Sequence, residues 1–289
     1  MDKKNTTLLM IVDGWGIGDP KDPGNPVTPQ TAPNYFSYLK KYPNCKLEAS
    51  GDSVGLFKGQ EGNSEAGHLN LGAGRVVKQD ALYISEAIKD GSFFKNNAFH
   101  QAIHHVKKYN TAVHLMGLLS NHNSAHALPE HLYALLELLH REKITQVYLH
   151  LFTDGRDSGQ YEASKHLRLL QKKFKGNEKV ASIMGRHYAM DRNKNWERTK
   201  AAYETLVLGK GRKAESAEEA LREAYKENES DEFILPTVIT KTGKPLATIK
   251  DNDAVIFFNL RSDRSRQLTK TFVQKNFKQV NPGAFTRTK

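Results

Sequence analysis

The chain has 289 residues, 38% of them hydrophobic and 26% charged, which suits one large globular domain or two ordinary ones and excludes disorder as the main state. Cys45 is the single cysteine, so an intramolecular disulfide and a cysteine-rich zinc site are both excluded, as befits a reducing cytoplasm. The formal net charge of +11 admits nucleic acid, an acidic membrane surface or small anions as partners.

At the N-terminus, Thr7 to Val12 reads as a buried strand, an unbroken apolar run closed by Asp13-Gly14. The run is too short for a signal sequence, and nothing later approaches a membrane-spanning length, so a cytosolic protein is expected. A carboxylate directly after a buried strand stands where open α/β sheets place hard-metal ligands, which makes Asp13 a candidate. Gly16 to Pro33 is a long loop, Asn34 to Lys41 a helix, and Leu47 to Gly51 a short strand. Gly51 to Arg75 reads as a glycine-rich loop around Ser64. Ser64 is the candidate nucleophile, and it needs a base, a metal or a positive surround to attack near neutral pH. His68, four residues on, reads as a hydrogen-bonding loop residue.

From Val76 the texture changes to helices alternating with short apolar runs. The spacing predicts helices over Ala98 to Lys108, Pro129 to Arg141, Glu162 to Phe174, Asn195 to Leu208 and Ala220 to Lys226. Gly209 is a predicted C-cap, and Ser216 to Glu219 a capping box. Strands are expected over Ala112 to Leu119, Val147 to Phe152, Val180 to Met184 and Ala254 to Asn259. Three of these run into arginine-bearing loops, at Arg156, at Arg186 and at Arg261 with Arg264, so the arginines should converge at one sheet edge as an anion pocket. The lysines, by contrast, lie in scattered pairs such as Lys107-Lys108 on predicted helix faces. The arginine spacing argues against a nucleic-acid partner, which needs a continuous basic face.

Five motifs occur in order: Met10-Ile11-Val12-Asp13-Gly14-Trp15-Gly16; Gly62 to Arg75; Asp154-Gly155-Arg156-Asp157; Gly185 to Arg192; and Phe258 to Arg264. Together they resemble the cofactor-independent (2,3-bisphosphoglycerate-independent) phosphoglycerate mutase family, with Ala66 where that family has valine. The resemblance implies an α/β protein whose alkaline-phosphatase-like N-terminal portion, residues 1–77 and incomplete, precedes an α/β phosphotransferase domain, residues 78–289. It implies interconversion of 3-phosphoglycerate and 2-phosphoglycerate, with Ser64 taking the phosphoryl group and Asp13 and Ser64 binding manganese, two ions serving the complete enzyme. His126, Arg156, Asp157, Arg186, Arg192, Arg261 and Arg264 are the implied substrate contacts. The histidine assignment stays open between His126 and His122, because Ser120 to Ala127 lacks the family's glycines.

The family's other metal ligands and a substrate lysine match nothing up to Lys289. The chain alone is therefore expected to be inactive, with a complementary C-terminal chain as a candidate partner. A non-catalytic module that binds phosphoglycerate or another small anion is the alternative.

Overall fold

The structure is a computed structural model that describes residues 6–274 and Phe277. The chain divides into two compact units, residues 1–82 and 83–289.

The first unit holds α1 (Pro33–Lys41) and α2 (Ser64–Ala73), with a short 3-10 turn at Gly51–Val54. Asn70 ties it together: its amide donates to the Val54 carbonyl at 2.9 Å and its side-chain oxygen accepts from Val77 N at 2.7 Å. Val54, Leu56 and Ala66 form its small core.

Two expected strands do not form here. Thr7 to Val12 is unpaired, and Leu8, Leu9 and Met10 are 79%, 73% and 74% exposed. A strand apolar on both sides needs neighbours along its edges and cover on its faces, and no strand occurs among the described residues of this unit. Leu47 to Gly51 likewise stays irregular and runs into the 3-10 turn. Conversely, the serine segment expected as a loop is helical, because Asn63 caps it and accepts from Ala66 N at 2.9 Å. Ser64 and His68 therefore lie on α2.

After α3 (Asp80–Asp90) the second unit continues through α4 (Asn97–Tyr109), β1 (Val113–Leu119), α5 (Pro129–Arg141), β2 (Val147–Thr153), α6 (Ala163–Gln171) and β3 (Glu178–Gly185). There follow α7 (Arg186–Ala189), α8 (Trp196–Leu208), β4 (Arg212–Ala214), α9 (Ala217–Lys226), β5 (Thr237–Lys241), β6 (Lys244–Pro245), β7 (Ala254–Phe257) and α10 (Ser262–Val273). The sheet order is β4-β5-β3-β2-β1-β7, with β6 paired to β5. Strands β3, β2, β1 and β7 are mutually parallel, whereas β5 runs antiparallel to β3.

Side chains alternate across a strand, so each central strand feeds two cores. Leu115, Leu149, Leu151 and Ile183 pack on one face with Leu132, Leu135, Leu136 and Leu139 of α5, Leu167 of α6 and Leu221 of α9. Met116, Leu118, Phe152 and Met184 pack on the other with Tyr203 and Leu206 of α8 and Leu268 of α10. The result is a layer of helices on each face of a mostly parallel sheet. Gly117 is required in β1, since a Cβ there would lie 2.6 Å from the Phe258 ring.

Helix ends follow local chemistry. Gly209 closes α8 with φ of +63°. Ser216 Oγ accepts from Glu219 N at 3.1 Å, while the Glu219 carboxylate reaches one residue beyond the box, accepting from Glu215 N at 2.6 Å.

Candidate functional site

In the first unit, the Ser64 hydroxyl donates to Asp13 Oδ2 at 2.6 Å and lies 3.3 Å from His68 Nδ1. That ring nitrogen is also 2.8 Å from the Ser64 carbonyl oxygen. A carbonyl only accepts, so Nδ1 carries the proton and cannot also take one from the hydroxyl. His68 thus holds the helix turn and offers Ser64 no base.

Asp13 and Ser64 supply oxygen donors side by side, as a hard cation prefers, but such an ion takes six or so ligands, about 6 to 8 for the larger ones. No group of three or more His, Cys, Asp or Glu suited to a metal occurs among the described residues. The chain's own residues do not fit a pair of bound ions by themselves.

In the second unit, the parallel strands end level with one another: Leu119 of β1 pairs with Thr153 of β2, and Thr153 with Gly185 of β3. The segments leaving these ends carry the polar residues. Gly155, with φ of +65°, turns the chain after β2, and a Cβ there would meet Glu232 N at 2.5 Å. Asp157 Oδ2 accepts from Arg186 Nη1 at 3.0 Å and from Ser124 Oγ at 3.0 Å. His126 Nε2 lies 4.0 Å from the same oxygen, and the Ser124 hydroxyl also receives His126 N at 3.1 Å. From β7, Leu260 N donates to the His126 carbonyl at 2.7 Å, which joins this loop to the arginine-bearing one.

Arg261 and Arg264 flank Asp263 at the start of α10, a helix not foreseen from the sequence, so Arg264 stands on a helix and not in a loop. Arg192 Nη1 donates to Asp263 Oδ2 at 2.8 Å, and Arg261 Nε is 3.6 Å from Asp263 Oδ1. Arg264 pairs with no carboxylate among the described residues and donates to the Met190 carbonyl at 3.4 Å. Arg156, more than half exposed, points to Glu232 at 3.6 Å. The structure thus brings together Arg186, Asp157 and His126, and beside them Arg192, Arg261 and Arg264. It turns His122 away: that ring is exposed and paired with Glu130 at 2.6 Å.

Electrostatics mark the same group. Burial, then the Arg186 charge, pushes His126 down to about 4 against the opposing pull of Asp157, with Arg261 adding to the depression. The imidazole is neutral at pH 7, and its buried Nδ1 makes no hydrogen bond among the described residues. Burial raises the Asp157 carboxyl, but the charge and hydrogen bond of Arg186, with Ser124, outweigh it and hold the group below its ordinary value. Burial, followed by the charges of Arg192 and Arg186, lowers Arg264, whose buried Nε also lacks a hydrogen-bond partner among the described residues. Ser124, Glu232 and the carboxylate pairing of Asp263 were not foreseen. Only Asp263 had a signal, its place between two arginines.

The BPG-independent PGAM N-terminus (iPGM_N) family model matches residues 84–288. The chain belongs to that family. It is similar to the 2,3-bisphosphoglycerate-independent phosphoglycerate mutase of Moorella thermoacetica, 49% identical over 272 residues, 93% of this chain and 53% of that protein. It is also similar to 2,3-bisphosphoglycerate-independent phosphoglycerate mutase 1 of Methanosarcina barkeri, 49% identical over 278 residues, 95% of this chain and 53% of that one. Among solved structures, phosphoglycerate mutase of Leishmania mexicana at low cobalt concentration superposes with a TM-score of 0.79 at 28% identity, covering 86% of this chain and 48% of that one. The α/β class read from the sequence agrees with this neighbour. The chain spans about half the length of the curated relatives it matches. No helix among the described residues is long and apolar enough to cross a membrane.

Proposed function

We propose that this chain is the N-terminal part of a 2,3-bisphosphoglycerate-independent phosphoglycerate mutase, an isomerase of glycolysis and gluconeogenesis in the cytoplasm. The observation that carries the reading is the convergence of Arg186, Arg192, Arg261 and Arg264 with a neutral, buried His126 at the carboxyl ends of parallel strands. Repulsion among those guanidiniums favours an anion in their midst, and forked donors match both phosphate and carboxylate.

In this reading residues 1–77 are the incomplete metal-dependent phosphatase portion and residues 78–289 the phosphotransferase domain, a boundary five residues before the division into compact units at 82/83. Arg156, Arg186, Arg192, Arg261 and Arg264 grip the phosphate and carboxylate of phosphoglycerate. Asp157 accepts from a glycerate hydroxyl, and His126 Nδ1 meets the substrate as a neutral ring. The Ser64 oxygen forms a bond to phosphorus as the bond to the 3-oxygen breaks. Ser64 loses a proton and the departing oxygen gains one, so the exchange is balanced. The 2-oxygen of the reoriented glycerate then forms a bond to phosphorus as the serine oxygen–phosphorus bond breaks, the 2-hydroxyl losing a proton and Ser64 regaining one. Two manganese ions are the proposed cofactor, with Asp13 and Ser64 as this chain's ligands; such ions stabilise charge on phosphoryl oxygens. The remaining ligands would come from a complementary C-terminal chain, without which residues 1–289 turn nothing over. Neither nucleic acid nor membrane is a proposed partner.

The lack of a three-ligand metal group among the described residues favours one second reading, a non-catalytic phosphoglycerate-binding module. Mutase turnover with manganese, measured on the chain alone and after adding a separately made C-terminal half of a related mutase, separates the two. Turnover only upon addition is expected. Binding of 3-phosphoglycerate without turnover in either case would leave the binding module.

A further inference from the structure

Beside Arg186 lies a carboxylate to which the reaction described above gives no part. Asp154, the first residue after β2, is 1% exposed. Its Oδ1 accepts from Arg186 Nη1 at 2.6 Å, from Asp157 N at 3.0 Å and from Arg156 N at 3.2 Å. Its Oδ2 accepts from the Ser120 hydroxyl, which extends from the end of β1. One buried side chain therefore connects the segments leaving β1, β2 and β3.

A buried carboxylate is costly unless its oxygens are engaged, and here all four donors belong to segments that carry candidate ligand contacts. The two amides fix the turn that aims Arg156 and Asp157. The guanidinium bond fixes Arg186, whose same Nη1 then reaches Asp157. Asp154 is buried, and its negative charge repels a ligand that is itself anionic, so it is not placed to contact one.

We propose that Asp154 is a positioning residue: it holds Arg186 and the turn of residues 154–157 in the geometry that receives phosphoglycerate, without touching the ligand. Ser120 is its support, aligning the carboxylate from the opposite side. This rests on the reading of the cluster as a phosphoglycerate site, and the experiment keeps the two apart.

The full 289-residue chain is titrated with 3-phosphoglycerate by calorimetry, and the Arg186 guanidinium is followed by nitrogen-15 NMR, assigned with Arg186→Lys. In the parent, Arg186 should give slowly exchanging, separate Nη signals whether or not ligand is present. Asp154→Asn keeps the shape and an acceptor for the turn but removes the charge that holds Arg186. It should merge the Nη signals and weaken binding by about tenfold or more, a change of about 1.4 kcal/mol. Ser120→Ala, which keeps the charge, tests the support and remains informative if the first variant does not fold. It should speed Nη exchange and weaken binding by about threefold, as for one lost neutral hydrogen bond. Loss of melting temperature in Asp154→Asn with sharp Nη signals and binding within twofold of the parent would overturn the proposal, as would Ser120→Ala unchanged in both readouts. A parent that does not bind 3-phosphoglycerate but whose Nη signals merge in Asp154→Asn would instead overturn the ligand reading and leave the positioning of Arg186 standing.

Discussion

Arg186 is buried and donates to Asp157 at 3.0 Å, whereas Arg156, in the turn just before Asp157, is exposed and lies 3.6 Å from Glu232. Two arginines with the same proposed partner therefore stand in opposite dielectric settings. Removing one member of a buried ion pair strands its partner, so Arg186→Met should cost about 3 to 5 kcal/mol in urea unfolding. Arg156→Ala, losing an exposed pair, should stay within about 1 kcal/mol of the parent. Both should weaken 3-phosphoglycerate binding in calorimetry. Equal stability losses would mean that Arg186 does not sit in a buried ion pair.

His126 also makes stability depend on pH. Its folded-state value is about 4, against an ordinary value of 6.5, so below the ordinary value the unfolded chain binds a proton that the folded chain refuses. Stability is then full above about pH 6.5 and falls as pH drops towards 4, with a limiting slope near 1.4 kcal/mol per pH unit for one proton. His150, fully buried, is driven well below its ordinary value by desolvation and by the neighbouring His114, and adds in the same direction. His126→Gln should flatten the stability profile between pH 6.5 and 4 by about one proton's slope. Urea midpoints across that range measure it, and an unchanged slope would contradict a neutral His126.

The second unit was largely legible from sequence because its elements are stabilised by what lies within the chain. Leu132, Leu135, Leu136 and Leu139 form a stripe on α5, and the apolar runs ending in Asp154, Arg186 and Arg261 became parallel strands of one sheet. The same reading failed for Thr7 to Val12, since an apolar run reports a tendency to be buried and not the presence of a partner. It also missed α10, whose arginine-rich first turns show little apolar periodicity, and treated the arginines as bare charges. The structure pairs Arg186 with Asp154 and Asp157, Arg192 with Asp263, and Arg156 with Glu232, each across a long stretch of sequence that spacing does not bridge; only the place of Asp263 between Arg261 and Arg264 was visible beforehand.

Asp231 gives a prediction of the opposite sign to His126. Its carboxylate is buried, accepts from Glu162 N and Ala163 N at the start of α6, and receives the Tyr225 hydroxyl at 2.6 Å. Burial dominates and raises the group to about 6, against the lowering effects of those hydrogen bonds and with Asp154 adding repulsion. The folded chain thus holds a proton that the unfolded one releases above 3.8, and the ionised form is disfavoured as pH rises through 6. Asp231→Asn keeps a neutral acceptor for the two amides and cannot ionise. Its melting temperature should match the parent's near pH 3.5, pull ahead as pH rises from 3.8 to about 6, and exceed it by a constant margin above that. A variant less stable than the parent throughout that range would show that the charge is needed for capping.

The apolar run that precedes Asp13 carries the last prediction. Leu8, Leu9 and Met10 are each more than 70% exposed, with Val12 and Ile17 also open to solvent. Contiguous apolar surface of this kind mediates association, and an unpaired extended segment is a template for another strand. Leu9→Lys places a charge within the run and leaves the second unit's core residues unaltered. It should lower binding of an apolar fluorescent dye and reduce light scattering of the concentrated chain, while 3-phosphoglycerate affinity stays unchanged. Adding a separately made C-terminal half of a related mutase should quench the same dye signal in the parent. If Leu9→Lys blocks that quenching and also the recovery of turnover, the run is the surface on which the complementary chain assembles. If dye binding and scattering persist in the variant, the association arises elsewhere on the molecule.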